Sequence, residues 1–133
     1  MGRSRKVLLV DDNAVNLEIL EELLGEEFIL RTASTSAEAL RIAKRFRPRV
    51  ILLDVMLPDA DGYETCRLLR REPGLSQAKI VMLSAKAMPS ERQAGYDAGA
   101  DDYITKPFDD NVVLKLVRSC IDTGAPGVKS EVY

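Results

Sequence analysis

Apolar residues follow two rhythms along this chain, and the rhythms alternate. Three short runs are apolar without interruption: Val7-Leu8-Leu9-Val10, Val50-Ile51-Leu52-Leu53 and Ile80-Val81-Met82-Leu83. A strand with one wet face alternates apolar and polar residues, whereas a strand covered on both faces does not. Each run therefore predicts a strand held between two layers. Weaker strands are predicted over 28–32 and 102–105. Between them, apolar positions return every three or four residues, the helical period. Val15, Ile19, Leu20, Leu23 and Leu24 form one such stripe, with Gly25 where a C-cap belongs. Thr35 and Glu38 have capping-box spacing and open a second helix through Ala39, Leu40, Ala43 and Phe46. Pro48 prevents its continuation. A third helix is predicted over 62–71 before Pro73-Gly74, and a fourth from Pro89 and Ser90 to Gly99. The last covers 111–121, with Val113, Leu114, Val117 and Cys120 inward.

Strand then helix, repeated five times, is the pattern of an α/β domain with a parallel sheet and helices on both faces. Right-handed crossovers make it a doubly wound five-stranded parallel sheet, and of the two common strand orders 2-1-3-4-5 is adopted here. A length of 133 residues suits one domain with a sizeable core. That domain is placed at 1–122. Residues 123–133, beginning Thr123-Gly124-Ala125-Pro126-Gly127, read as a flexible tail or the start of a linker.

Composition narrows the chemistry. A net charge of −2 offers no basic surface for nucleic acid or an anionic membrane. No apolar run approaches the roughly 20 residues that span a bilayer. The run starting at Val7 is too short for a signal-peptide core, so a cytoplasmic location is expected, with Cys66 and Cys120 as reduced, packed thiols. The chain contains no histidine, which excludes Ser-His-Asp and Cys-His nucleophile systems and the usual zinc sites. Reactive chemistry must rest on carboxylates, hydroxyls, lysine and an oxygen-preferring metal.

In an open parallel sheet, ligands bind beyond the carboxyl ends of the strands. Asp11, Asp12 and Asn13 follow the first strand, Asp54 the third, Ser84 the fourth, and Lys106-Pro107 the fifth. Each has an ordinary alternative. The acids could be solvated turns, Ser84 a helix cap, and Lys106 a surface cation near Asp101, Asp102, Asp109 and Asp110. None of these alternatives explains why all four strand ends share one edge. Three neighbouring carboxylates repel by roughly 4 kcal/mol per pair at about 4 Å and an effective dielectric near 20. Mg²⁺, which prefers oxygen ligands, relieves that repulsion. Lys106 adds a second positive charge and Ser84 a donor hydroxyl, a set suited to the oxygens of a transferring phosphoryl group, with Asp54 as nucleophile.

On these residues the chain resembles the response-regulator receiver domains of two-component signalling. The stretches that carry the resemblance are Val7 through Asn13, Ile51-Leu52-Leu53-Asp54-Val55-Met56-Leu57-Pro58, Asp61-Gly62, Val81 through Ala85, and Ala98-Gly99-Ala100-Asp101-Asp102-Tyr103-Ile104-Thr105-Lys106-Pro107-Phe108. The resemblance implies a flavodoxin-like (βα)5 fold and a phosphoprotein rather than an enzyme, catalysing only its own phosphorylation and dephosphorylation. It makes Asp54 the phosphoacceptor, and Asp11, Asp12, Asp54 and the Met56 backbone carbonyl the Mg²⁺ set. It further implies that Ser84 is a switch hydroxyl, that Tyr103 rotates inward as Ser84 moves, that Lys106 pairs with the phosphate, and that the Lys106-Pro107 bond is cis. The donor would be a histidine kinase or a histidine phosphotransfer domain. The face from about Pro89 to Cys120 would then be read by an output domain, a partner protein or a second copy.

From the residues alone Tyr103 reads equally as a static, half-buried aromatic. An aspartyl phosphatase would need an acid where Met56 stands and a cap for its substrate. A flavin or nucleotide module would need a glycine-rich loop where Asp11-Asp12-Asn13 stands. A receiver that only binds partners and never accepts phosphate stays open.

Overall fold

Strands β1 (Lys6–Val10), β2 (Ile29–Ala33), β3 (Val50–Asp54), β4 (Lys79–Ser84) and β5 (Asp102–Thr105) form one parallel sheet in the order β2-β1-β3-β4-β5. Helices α1 (Ala14–Leu24), α2 (Ser36–Phe46), α3 (Gly62–Arg71), α4 (Pro89–Asp97) and α5 (Asp110–Thr123) alternate with them. The computed structural model describes residues 4–86 and 88–123. Element types agree with the periodicity, and the strand order is the one of the two common doubly wound orders adopted above.

Alternate residues of each strand enter opposite layers, because successive side chains on a strand point to opposite faces. Val7, Leu9, Val50, Leu52, Val81, Leu83 and Ile104 pack with Leu20 and Leu24 of α1 and Val113, Val117 and Ile121 of α5. Leu8, Val10, Ile51, Leu53, Ile80, Met82 and Tyr103 meet Ala39 and Ala43 of α2 and Cys66 and Leu69 of α3. β3 and β4 are buried along their whole length, which is why their sequences show no alternation. Cys66 and Cys120 are free, buried thiols, and burial pushes them up to about 11 and about 12. Among the described residues no helix is long and apolar enough to cross a membrane.

The differences from the sequence reading lie at element ends. β2 begins at Ile29 because the Phe28 side chain sinks into the α1–α5 layer while its N–H still bonds the Leu24 carbonyl. Gly25 is the C-cap of α1 but keeps a right-handed conformation. The left-handed cap falls instead on Arg47, with φ of 52°, directly before Pro48. Thr35 Oγ1 accepts from Glu38 N at 3.1 Å as the capping box requires, yet the Glu38 carboxylate accepts from Ser34 N at 2.8 Å rather than from the cap residue. Thr123, expected to open a tail, is the last helical residue of α5, and the rest of that tail lies outside the described residues.

One side chain ties three elements together. Arg70, at the end of α3, donates to the Asp101 carboxylate, to Ala78 O and to Gly99 O at 2.8 Å. Asp101 also accepts from Ile80 N at 2.9 Å, so the pair locks α3 to β4 and to the turn before β5. Gly99 takes a φ of +110° there, and a Cβ would lie 2.8 Å from Arg70 Cγ. Both charged side chains are mostly sheltered, at 22% and 17% exposure. Arg70→Ala strands Asp101 and two backbone acceptors, and should lower unfolding free energy in urea by about 2–3 kcal/mol, with Arg70→Lys recovering only part of it.

Candidate functional site

Register decides which side chains meet. Val10 pairs with Leu53, Asp54 with Leu83 and Ser84 with Thr105, so β1, β3, β4 and β5 end in step. The ladder continues one rung past the strands through Asp11 N to Ala33 O and Lys106 N to Ser84 O. Asp11, Asp54, Ser84 and Lys106 are thereby delivered to one edge, where the apolar layers stop.

Lys106 Nζ lies 3.0 Å from Asp11 Oδ2 and 3.1 Å from Asp54 Oδ2 and donates to both. Of the pairings open to it in sequence, this one is made, and Asp101 is taken by Arg70. The two acids accept further bonds. Asp54 Oδ1 accepts from Met56 N at 3.0 Å, and Asp11 Oδ1 from Asn13 N at 2.9 Å. Asn16 Nδ2 donates to Asp11 Oδ2 at 3.2 Å, a contact that sequence reasoning missed although Asn16 stands in the first turn of α1. Asn13 caps that helix by accepting from Val15 and Asn16 N–H groups, which fixes its first turn against the acids. Asp12 is exposed, yet carboxylate oxygens of Asp11, Asp12 and Asp54 all lie within 4.8 Å of one another.

The loop after β3 is drawn tightly under the site. Met56 bridges Asp61, and Gly62 N bonds Val55 O at 2.5 Å. A Cβ on Gly62 would come within 2.5 Å of Asp54 O, so only glycine permits that approach. Asp59 in the same loop accepts from Ser36 and Ala37 N–H groups at 2.7 and 3.0 Å, stapling it to the start of α2.

Ser84 reaches the same edge, with its Oγ accepting from Lys86 N at 3.0 Å. Tyr103 is fully buried, not half-buried, and its hydroxyl donates to Lys86 O at 2.9 Å. Its ring already rests inside. The Lys106-Pro107 bond is cis.

Burial raises the Asp54 carboxyl above its ordinary value, and the charge of Asp11 adds to the rise; the Met56 N–H and Lys106 oppose both. Burial would lower Lys106, but its bonds to Asp11 and Asp54 and their charges outweigh that and raise it. The site is an electron-rich oxygen cluster with one fixed cation. Three hard oxygen donors at this spacing fit Mg²⁺, which takes oxygen ligands and keeps several waters.

Residues 7–118 match the sequence family described as the response regulator receiver domain. The chain is 38% identical over 117 residues to the response regulator PleD of Caulobacter vibrioides, covering 87% of this chain and 26% of PleD. It is 42% identical over 132 residues to the probable transcriptional regulatory protein TcrX of Mycobacterium tuberculosis, covering 97% and 55%. Thus it spans about a quarter to about a half of these curated relatives. Among solved structures, the receiver domain of the sensor histidine kinase PA1611 from Pseudomonas aeruginosa PAO1 is similar at TM-score 0.79 and 31% identity, over 89% of this chain and 96% of that one. That domain carries a magnesium ion coordinated in its active-site cleft.

The electrostatics predict a pH signature. An acid raised in the folded state binds its proton more tightly there than when unfolded, so stability declines as pH rises above the ordinary carboxylate value of about 3.9. Lys106→Met removes the charge that restrains this rise. Carboxyl ¹³C titration should place Asp54 higher in Lys106→Met than in the parent chain. The variant should also lose more stability than the parent between about pH 4 and pH 7.

Proposed function

The chain belongs to the response regulator receiver domain family of two-component signalling, and on that premise we propose that it accepts a phosphoryl group on Asp54. The observation that carries the reading is Lys106 bridging Asp11 and Asp54 beside a third carboxylate, Asp12. Asp54 is the acceptor because, of the two buried acids, it makes fewer bonds: Lys106 and Met56 N hold it, whereas Asp11 is engaged by Lys106, Asn16 and Asn13. Its oxygen attacks phosphorus, forming a P–O bond as the P–N bond to a phosphohistidine breaks and the pair returns to the imidazole. Membership of the family supports a histidine kinase or histidine phosphotransfer domain as that donor.

Asp12, Asp54 and the Met56 carbonyl would hold Mg²⁺ with Asp11 alongside, and the ion's chemistry is to neutralise charge on phosphoryl oxygens. Lys106 meets the same oxygens from the β5 side. Ser84 offers its hydroxyl to them, in exchange for its present bond with Lys86. An acyl phosphate carries about −1.5 to −2 where a carboxylate carried −1, so these donors are drawn toward Asp54. The face formed by α4, β5 and α5 then reports the change to an output domain, a partner protein or a second copy. Residues 1–122 act as the receiver unit, a signalling switch whose only catalysis is gain and loss of its own phosphate, and the two free thiols suit the cytoplasm.

Incubation with phosphoramidate and Mg²⁺ should add one phosphate, seen as about +80 Da and lost in hydroxylamine. Asp54→Asn should abolish it, and Lys106→Ala should slow it by about 100-fold or more, as removal of one preorganised donor does. Asp12→Asn should weaken Mg²⁺ binding at least about tenfold. An Asp54→Asn chain labelled at the parental rate would place the acceptor elsewhere.

A further inference from the structure

Helix α4 is the most thinly attached helix of the described chain. Its one buried residue is Gly95, a helix-interior glycine, and that glycine lies on the Tyr103 ring. An ideal Cβ at Gly95 would sit 2.9 Å from Tyr103 Cδ2, 3.2 Å from Cε2 and 3.0 Å from Met82 Sδ. The methionine end can swing away; a buried ring cannot yield without leaving its place. Glycine is a poor helix former because it gives up the most backbone freedom, so a packing demand is the natural reason for one here.

A second hold comes from α3, outside the α4–β5–α5 face. The Tyr63 hydroxyl donates to the backbone carbonyl of Glu91 on α4 at 3.2 Å. Burial, and next the Tyr103 hydroxyl beside it, raise the Tyr63 phenol above its ordinary value. Arg92 of α4 closes the third side, with its guanidinium 5.4 Å over the Tyr103 ring and a bond to Thr105 Oγ1 at 3.3 Å.

We propose that Gly95 and Tyr63 are positioning residues of the switch: Gly95 leaves the socket in which Tyr103 rests, and Tyr63 latches α4 over it from α3. As a switch this rests on Asp54 being the phosphoacceptor; as a socket it does not. With the ring inside, α4 is seated by the glycine–ring contact and the Tyr63–Glu91 bond. With the ring outside, Gly95 loses its nearest neighbour, and Met82 and the Tyr96 side chain are left to seat the helix on the core. Two of the groups that hold α4 thus touch neither phosphate nor metal, and one of them is on a helix that the signalling face does not include.

The test needs no phosphodonor, so its outcome is separate from that of Asp54 labelling. In the full chain, Tyr103 should resist nitration by tetranitromethane, and α4 amides from Glu91 to Asp97 should be partly protected from hydrogen exchange. Gly95→Ala should expose Tyr103 to nitration and speed α4 exchange by about tenfold, even though alanine favours helix. Tyr63→Phe, a mild change, should speed the same amides while leaving those of β4 and β5 unchanged. In a Tyr103→Ala background the sign should reverse, with Gly95→Ala now slowing α4 exchange. The socket is refuted if Gly95→Ala slows exchange in the parent chain with Tyr103 still protected, and the latch is refuted if Tyr63→Phe leaves α4 exchange as it was.

Discussion

One ammonium serves two buried carboxylates, and the rest of the molecule is arranged around that fact. Lys106 bonds Asp11 and Asp54 at 3.0 and 3.1 Å, and Asp12 stands alongside. With the acids ionised the cluster carries three negative charges and one positive, a remainder of two. At about 4 Å and an effective dielectric near 20, each carboxylate pair repels by roughly 4 kcal/mol, more than surface solvation comfortably hides. Burial adds to the strain, since it already raises Asp54. A divalent cation equals the remainder in magnitude and is opposite to it in sign. With the acids ionised the site thus holds two uncompensated negative charges, and a phosphoryl group would meet repulsion there alone and attraction in company with such an ion.

That cluster exists only while the strands keep their register. Asp11 follows Val10, Asp54 follows Leu53 and Lys106 follows Thr105, and the paired rungs Val10–Leu53, Asp54–Leu83 and Ser84–Thr105 hold these ends level. A slip of one residue would send every side chain of a strand to the opposite layer. For β3 and β4, buried on both faces, the slip would repack Leu into spaces shaped for Val and displace Asp54 by a residue's length. Core and site thus share one constraint: apolar layers that fill both faces of the sheet also meter the distance between the acids and the lysine. Gly62 and the Asp59 staple carry the constraint into the loop after β3, where the Met56 N–H must reach Asp54.

What could be read before folding, and what could not, divides along the same line. Uninterrupted apolar runs revealed β1, β3 and β4 because a doubly covered strand has no wet residue to interrupt it. The convergence of Asp11, Asp12, Asp54 and Lys106 was legible because a parallel sheet sends every strand's carboxyl end to one edge. Illegible were features decided by which elements become neighbours. Nothing in the stretch around Arg70 announces that its guanidinium will find acceptors on Ala78, Gly99 and Asp101. The left-handed Arg47 and the Glu38 side chain that caps Ser34 rather than Thr35 follow from how α2 enters and leaves the layer. Tyr103 is the instructive case. Its place on β5 was readable, but its complete burial depended on a glycine eight positions earlier, on a helix whose packing no periodicity declares.

The sidedness of the sheet sets α4 apart from α1 and α5. Successive strand residues face opposite layers, so Met82 and Ser84 of β4 share a face with Tyr103 and Thr105 of β5, which they pair. That face is the one α4 covers, through Gly95 against Tyr103 and Met82, and through Arg92 against Thr105. Ile104, whose neighbours on either side face α4, points into the α1–α5 layer, where Val113, Val117 and Ile121 hold it in dense packing. A change in what Ser84 binds would therefore act on the thinly held side of the sheet. Close-packed interiors transmit small displacements rather than absorb them, and the least firmly seated neighbour moves first. The two layers differ accordingly: the α1–α5 layer packs densely under the charged edge, and the α4 side is held by fewer buried residues.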